Sequence, residues 1–262
     1  MTETLSAGLP GLSLATLLLL VVIGVFVGIF IGSIGIGGVL LVPGLVYLAG
    51  YDIHTAIASC MLSYAFSGLV GALMYARKGS IRWTTGGWLS IGAMPGAGLG
   101  ALIVQQLSVD AVTLVIALFI VFAVYSSSRN TPTSSRSATT HPVFLVATGV
   151  LVGLGSATSG TGGPLLLVPL LVWYGWPVLG AVGLSQLIQI PIALLATLIN
   201  YFSGAVDVYL GLGVAVVITL GVITGANIAH LLPVHLLRRL VVVALVLVAV
   251  WMLIRSVLGI LT

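Results

Sequence analysis

Charged residues are scarce in this sequence. Asp, Glu, Lys and Arg make up only 5% of its 262 residues, whereas 60% are hydrophobic. Soluble domains average about 25% charged residues, so water cannot be the main solvent of this chain. The basic residues are few and scattered, which argues against a nucleic-acid partner. The lipid bilayer is the partner that this composition implies.

Cysteine and clustered catalytic groups are also scarce. The single Cys60 allows no intrachain disulfide, and packing is its expected role within an apolar stretch. There is no HExxH motif, no cluster of Cys and His, and no Ser beside a His and acid pair. We therefore predict no enzyme, no metal site and no cofactor. The acidic residues and histidines lie near predicted loops, so no carboxylate relay within the membrane is predicted.

Long apolar runs fill most of the chain instead. A membrane-spanning helix needs about 20 apolar residues, and the runs lack the ten-residue alternation of barrel strands. The first 11 residues contain no Lys or Arg, so we do not expect a cleaved signal peptide. The predicted fold is an all-α, polytopic membrane helix bundle. Its apolar segments are residues 12–31, 39–49, 54–76, 83–104, 109–125, 143–154, 165–174, 178–202, 208–229 and 234–261.

A segment rich in Ser, Thr and Pro divides the chain into two related halves. We predict a first transmembrane repeat at 1–126, a polar linker at 127–142 and a second repeat at 143–262. Internal repeats of this kind are typical of transporters. At an offset of 125 the matches include Gly24 with Gly149, Gly28 with Gly153, Gly96 with Gly221 and Gly100 with Gly225. At an offset of 126, after an extra Pro164, Ser59 matches Ser185 and Tyr75 matches Tyr201.

The distribution of basic residues indicates how the halves are oriented. If the first two segments of each half enter and leave on one side, seven basic residues share a side and only Arg255 faces the other. If those segments instead form one crossing, six basic residues share a side, and Arg238 and Arg239 face the other. The positive-inside rule favours the first arrangement. It predicts inverted repeats, cytoplasmic basic loops and both termini on the opposite side of the membrane.

Each half contains a glycine cluster, GSIGIGG at residues 32–38 and GSATSGTGG at 155–163. Glycine weakens helices, and irregular backbone at membrane depth occurs only where protein or a polar cavity satisfies it. We therefore predict a broken or re-entrant helix in each half. The N-terminus of the helix after each break would offer free N–H groups and positive charge to an anion. The alternative is that the glycines only allow close helix packing.

The residues around these clusters are the candidate ligands of a small anionic substrate. Gln186 and Gln189 share a helix face and either line the pathway or form interhelical hydrogen bonds. Packing or capping is the expected role of Asn200 and Asn227. The second cluster is expected to contribute more contacts because it carries more hydroxyl groups. The candidates are Ser33, Gly35, Gly37, Gly38, Ser59, Ser63, Ser156, Thr158, Ser159, Gly160, Thr161, Gly162, Gly163, Ser185, Gln186 and Gln189.

Two halves that each carry a GxGG run followed by LVP resemble the sulfite exporter TauE/SafE family. AIAS near Ser59, AVGLS near Ser185 and a later tyrosine complete the resemblance, which extends from about Gly24 to Leu253. The chain departs from the family pattern where a third glycine often follows the pair, because Val39 and Pro164 occupy those positions. Since proline has no N–H, contacts there would come from the next two residues.

This resemblance implies a multi-pass protein of the inner (plasma) membrane that exports sulfite, sulfoacetate or a related organosulfonate. The corresponding mechanism is alternating access at a midplane site between the two glycine clusters. A passive anion channel and a non-transporting membrane scaffold are the alternatives. The sequence leaves the oligomeric state open, and a homodimer is one possible assembly.

Overall fold

The computed structural model describes residues 14–128 and 141–229, together with residues 231, 243 and 246. Its described part is helical, without strands, which confirms the predicted fold class. Six helices, α1, α3, α4, α6, α8 and α9, are long and apolar enough to cross a membrane. The predicted linker and most of the last predicted segment lie outside the described residues. The helices are α1 Leu14–Ile34, α2 Leu41–Ala49, α3 Ile53–Arg77, α4 Trp83–Val104, α5 Val109–Ser128, α6 Pro142–Ser159, α7 Pro164–Trp173, α8 Val178–Phe202 and α9 Val208–Ile228.

The clearest difference from the predicted segments concerns α6. The prediction that this helix ends at residue 154 is wrong, because it continues to Ser159 and stops at Gly160, which has a φ of +69°. The Oγ1 of Thr158 donates to the carbonyl oxygens of Leu154 and Gly155, and the Oγ of Ser159 donates to that of Gly155. These bonds satisfy the hydroxyl groups within the helix, so the polar residues do not end it.

The outer surface of the bundle is apolar. Large hydrophobic side chains that would be costly to expose to water point outward from nearly every long helix, as expected for a surface facing lipid. Examples are Leu18, Phe26, Phe66, Leu73, Ile91, Leu99, Leu118, Leu194 and Leu220. The interior contains Ala and Gly at the helix contacts, together with most of the polar candidate residues.

Glycine allows two pairs of helices to touch backbone to backbone. A Cβ on Gly96 of α4 would meet the carbonyl oxygen of Val150 in α6, and one on Gly221 of α9 would meet that of Val25 in α1. The contacts of Gly100 with Leu154 and of Gly225 with Ile29 are related in the same way. Each contact between α4 and α6 therefore has a counterpart between α9 and α1, in which both residues are replaced by their matches at an offset of 125. Small residues are the usual means of such close approach in membrane bundles.

Two central helices, α3 and α8, run in opposite directions. Gly71 of α3 lies against Gln186 of α8, and Gly68, one turn earlier in α3, lies against Gln189, one turn later in α8. By contrast, α1 runs parallel to α9 and α6 runs parallel to α4, since residue numbers rise together along their contacts.

The bundle therefore has two chemically distinct ends. At the Asp52 end, Asp52 caps α3, His54 contacts the carbonyl oxygen of Leu107 after α4, and the N–H of Asp207 donates to Ser59. At the Arg82 end, α3 ends, α4 and α8 begin, and the Arg82 guanidinium lies 5.3 Å from the Trp176 ring centroid. All acidic side chains of the described part lie at the Asp52 end (Asp52, Asp110 and Asp207), and all Lys and Arg of that part lie at the Arg82 end (Arg77, Lys78 and Arg82).

Replacing Gly221 with Ala should destabilise the bundle. The new Cβ would overlap the Val25 carbonyl and lie 2.8 Å from the Cα of Gly28, so α1 and α9 must separate. Overpacking of this kind costs about 1–3 kcal/mol, which would appear as a lower Tm of the purified protein in detergent.

The matched control is Gly213→Ala, in the same helix but exposed, with no atom within 4 Å of the added Cβ. Its Tm should stay unchanged or rise slightly, since Ala favours helix more than Gly does. Equal Tm values for the two variants would contradict the close packing of α1 on α9.

Candidate functional site

The first two helices of each half form a hairpin that enters and leaves at one end of the bundle. α1 begins at the Asp52 end, parallel to α9, and α2 returns to that end, where three residues connect it to α3. α6 begins at the Arg82 end, parallel to α4, and α7 returns to that end just before Trp176. The bends of the two hairpins are the first glycine break, residues 35–38, and the second glycine break, residues 160–163.

The two glycine breaks touch each other inside the bundle. A Cβ on Gly38 would meet the carbonyl oxygen of Thr161, and one on Gly35 would lie 3.3 Å from the Cβ of Pro164. Residues 31–39 and 155–165 are all buried. Positive φ values at Gly35, Gly160, Gly162 and Gly163 make these turns open to glycine and strained for other residues. The structure therefore brings together the two clusters that the sequence placed 125 residues apart.

The N-termini of α2 and α7 both face this junction. At the second break, the N–H groups of Gly162, Gly163 and Leu165 donate to no acceptor in the described part of the chain, and Pro164 has no N–H. The N–H groups of Gly37, Gly38 and Val39 are likewise unpaired among these residues. Leu166 donates to the carbonyl of Gly163, which removes it from the two residues expected to supply contacts after Pro164.

The hydroxyl groups at the junction fall into two classes. Ser33 and Ser156 are 2% and 0% exposed, and neither Oγ has a hydrogen-bond partner among the described residues. The hydroxyls of Thr158 and Ser159 donate to carbonyls of α6, and Ser159 also lies 3.0 Å from the Oγ1 of Thr161. Each glycine cluster therefore contains one serine, just before the break, whose hydroxyl is unpartnered among the described residues.

The serines of α3 and α8 bond locally or to a helix end. The Oγ of Ser63 donates to the carbonyl of Cys60, and that of Ser185 donates to the carbonyl of Val182. The Oγ of Ser59 instead accepts the N–H of Asp207 at the Asp52 end. Ser185 remains near the first break, since a Cβ on Gly35 would lie 3.5 Å from its Oγ.

Gln186 and Gln189 make the interhelical hydrogen bonds that one of the two interpretations expects. The Nε2 of Gln186 donates to the carbonyl of Ile31, just before the first break, at 2.8 Å. The Nε2 of Gln189 donates to the carbonyl of Tyr64 at 3.0 Å and to the Oγ of Ser67 at 3.2 Å. Both side chains are fully buried, and both Oε1 atoms lack a donor among the described residues.

Two buried tyrosines of α3 contact the first glycine cluster, and neither was among the predicted site residues. The hydroxyl of Tyr64 donates to the carbonyl of Gly38, and that of Tyr75 donates to the carbonyl of Gly32. Tyr75 is fully buried, whereas Tyr201, its match at an offset of 126, is 59% exposed. A tyrosine between apolar residues is a weak signal in sequence, because its partner lies in a distant segment.

Packing or capping was expected of two asparagines outside the junction, and Asn200 has the packing role. The Oδ1 of Asn200 accepts a hydrogen bond from the Nε2 of Gln105, which joins the ends of α8 and α4. Asn227 is exposed in the last turn of α9.

The electrostatics of the junction depend on backbone dipoles, since no charged side chain of the described part lies between the bundle ends. Among these residues, no group of three or more His, Cys, Asp or Glu converges.

Outside the spans, burial and then the Asp207 carboxylate raise the pKa of Tyr51, which keeps its hydroxyl neutral at physiological pH.

Six membrane-length helices around a buried junction of two broken hairpins define a multi-pass membrane protein. Residues 17–252 match the model of the family described as Sulfite exporter TauE/SafE. The chain belongs to this family, as its motifs predicted, and it is a membrane transporter and not an enzyme.

Curated relatives support the same class. A Bacillus subtilis protein named "Probable membrane transporter protein YdhB" is 29% identical over 82% of this chain and 91% of its own length. A "Probable membrane transporter protein" from Xylella fastidiosa strain Temecula1 is 27% identical over 87% of this chain and 92% of its own length. No solved structure shows significant similarity to the chain.

Replacing Gln189 with Leu should lower stability modestly. The change removes two hydrogen bonds from α8 to α3, and interhelical hydrogen bonds in membranes average about 0.6 kcal/mol each. We therefore expect a loss of about 1 kcal/mol, measured as a lower Tm in detergent.

Gln106→Leu is the matched control, because Gln106 is exposed in the turn after α4 and its side chain makes no such bonds. A Gln189→Leu protein as stable as the wild type would show that these bonds contribute nothing to the fold.

Proposed function

We propose that this protein exports a small sulfur-containing anion, such as sulfite, sulfoacetate or a related organosulfonate, by alternating access at the junction of the two glycine breaks. The observation that carries the proposal is the meeting of two helix N-termini with unpaired N–H groups and unpartnered serines in a buried, uncharged interior. Buried polar groups without partners are rare in proteins and call for an explanation. A bound oxyanion supplies the acceptors that these donors lack.

The charge of the junction suits an anion without Lys or Arg. A helix N-terminus carries roughly half a positive charge, so α2 and α7 together present about one unit to the space between them. Around the second break, three N–H groups and the adjacent Oγ of Ser156 are donors for the oxygens of a sulfite or sulfonate group. The same positive potential disfavours cations.

The family description supports the substrate class, because it names sulfite exporters. Sulfoacetate and other organosulfonates carry a similar anionic group, so the same donors would serve them. With an interior-negative potential, outward movement of one negative charge releases about 2.3 kcal/mol per 100 mV, which would drive export without a coupling ion.

Two features of the bundle support inverted repeats and alternating access. The central helices α3 and α8, one from each half, are antiparallel, and the hairpins enter from opposite ends. The glycine contacts of α1 with α9 recur in α6 with α4. Halves related in this way can exchange roles, opening the junction first to one side and then to the other.

A passive channel and a non-transporting scaffold remain rival functions. Saturable counterflow of sulfite in proteoliposomes would exclude the channel, because a channel does not show exchange acceleration. A scaffold predicts that every variant which keeps its fold has the same anion flux as the wild type, namely that of empty liposomes.

Ser156→Ala should weaken transport without weakening the fold. The Ser156 hydroxyl has no partner to lose, so stability should stay the same or rise slightly. A hydrogen bond to a charged group contributes about 1.5–3 kcal/mol, so sulfite affinity should fall about tenfold or more. The measurements are sulfite efflux from proteoliposomes and Tm in detergent.

Thr148→Val is the control, because it removes a hydroxyl from a buried position of the same helix, about 12 Å nearer the Arg82 end. It should leave the KM for sulfite unchanged. Normal sulfite transport by Ser156→Ala would count against binding at the second break.

We also propose that the Arg82 end is cytoplasmic and that the membrane is the inner (plasma) membrane. Arg77, Lys78 and Arg82 all lie at that end, as the positive-inside rule requires. This orientation places the start of α1 on the opposite side, and it provides a basic entrance for an anion that is exported.

Single cysteines introduced in a Cys60→Ala background should reveal the orientation. Lys78→Cys and Asp110→Cys are both exposed positions at opposite ends of the bundle. A membrane-impermeant maleimide should label position 78 in inside-out vesicles and position 110 in right-side-out vesicles. The reverse labelling pattern would overturn the assignment of sides.

A further inference from the structure

We propose that Tyr64 is a positioning residue that holds the two glycine breaks at the separation and orientation needed to bind the anion. This inference rests on the proposed function, and it adds a residue outside the glycine clusters to the site. Tyr64 lies near the middle of α3 and is fully buried, with 0% of its surface accessible.

One side chain contacts both breaks. The hydroxyl of Tyr64 donates to the carbonyl oxygen of Gly38 at 2.9 Å. The ring lies against Gly162, where an added Cβ would be 2.9 Å from the Cδ2 of Tyr64. Gly38 also lies against the Thr161 carbonyl, so Tyr64 occupies the point where the first and second breaks meet.

The hydroxyl helps to fix the orientation of a peptide group at the start of a short 3-10 helix, Gly38–Leu40, that leads into α2. Because a peptide group is planar and trans, holding the Gly38 carbonyl toward α3 directs the N–H of Val39 the opposite way. That N–H is one of the unpaired donors of the first break. The same carbonyl oxygen accepts the N–H of Leu41, so the Tyr64 hydroxyl fills its second acceptor position.

The ring acts on the second break through shape. Gly162 has a φ of +79°, a conformation that glycine adopts easily, and the Tyr64 ring covers the side where a Cβ would stand. The backbone of Tyr64 is itself held, because its carbonyl accepts the Nε2 of Gln189 from α8. At an offset of 126 the second half has Ile190, so one tyrosine of the first half serves both breaks.

Tyr64→Phe tests the role of the hydroxyl, because phenylalanine keeps the ring against Gly162. We expect the KM for sulfite in proteoliposomes to rise about three- to twentyfold, with a smaller change in maximal rate. The sulfite concentration that gives half of the ligand-induced rise in Tm should increase by a similar factor. This second measurement reports binding without transport.

Tyr75→Phe is the matched control. It removes an equally buried hydroxyl of the same helix, which donates to the Gly32 carbonyl at 2.8 Å and lies about 16 Å along α3 from Tyr64, toward the Arg82 end. Its Tm should fall about as much as that of Tyr64→Phe, while its KM for sulfite stays at the wild-type value. Only the positioning role predicts this separation between stability and KM.

Equal KM values for Tyr64→Phe and the wild type, or equal KM increases in both variants, would overturn the positioning role. So would a Tyr64→Phe protein that fails to fold when Tyr75→Phe folds, because the hydroxyl would then be structural. If the wild type shows neither saturable sulfite transport nor a sulfite-induced rise in Tm, the proposed function itself fails. The two failures are therefore distinguishable.

Discussion

The structure depends on one constraint, which is that irregular backbone buried at membrane depth must have hydrogen-bond partners. Water and lipid supply none there, and each unsatisfied group costs several kcal/mol. The two glycine breaks place such backbone in the interior of the bundle. The helices around them meet much of this requirement, and the donors that they leave unpaired define the proposed site.

The protein satisfies the acceptors of the first break and leaves donors free. Carbonyl oxygens at or just before this break receive bonds from Gln186, Tyr75 and Tyr64, which come from α8 and α3. The first N–H groups of the helical segments that follow the breaks donate to no acceptor within the described part. Satisfied carbonyls beside free N–H groups suit an acceptor, which is why this interior is the anion site of the proposed function. Under the proposed function, the preference for anions follows because the unsatisfied groups are donors and not acceptors.

Much of this arrangement could be predicted from local sequence. Hydropathy alone gave the bounds of α4 and α8, and the repeated glycines indicated the helix breaks and the small-residue contacts. The partner of a buried polar group could not be predicted, because Tyr64 and Gly38 are 26 residues apart and Gln186 and Ile31 are 155 apart. The partners of the Thr158 and Ser159 hydroxyls, by contrast, lie one turn away in the same helix.

The central contact of α3 with α8 shows why the two halves need not be chemically equal. Gly71 leaves room for the amide of Gln186, and Gln189 reaches the backbone of Tyr64 from the same face of α8. The matching positions of α3 are Cys60 and Ser63, which carry no amide groups. At this contact α8 supplies the two amide side chains, and α3 supplies the glycines against which they pack. A duplicated fold can keep its symmetric glycine contacts at the periphery while its two central helices diverge to hold one shared site.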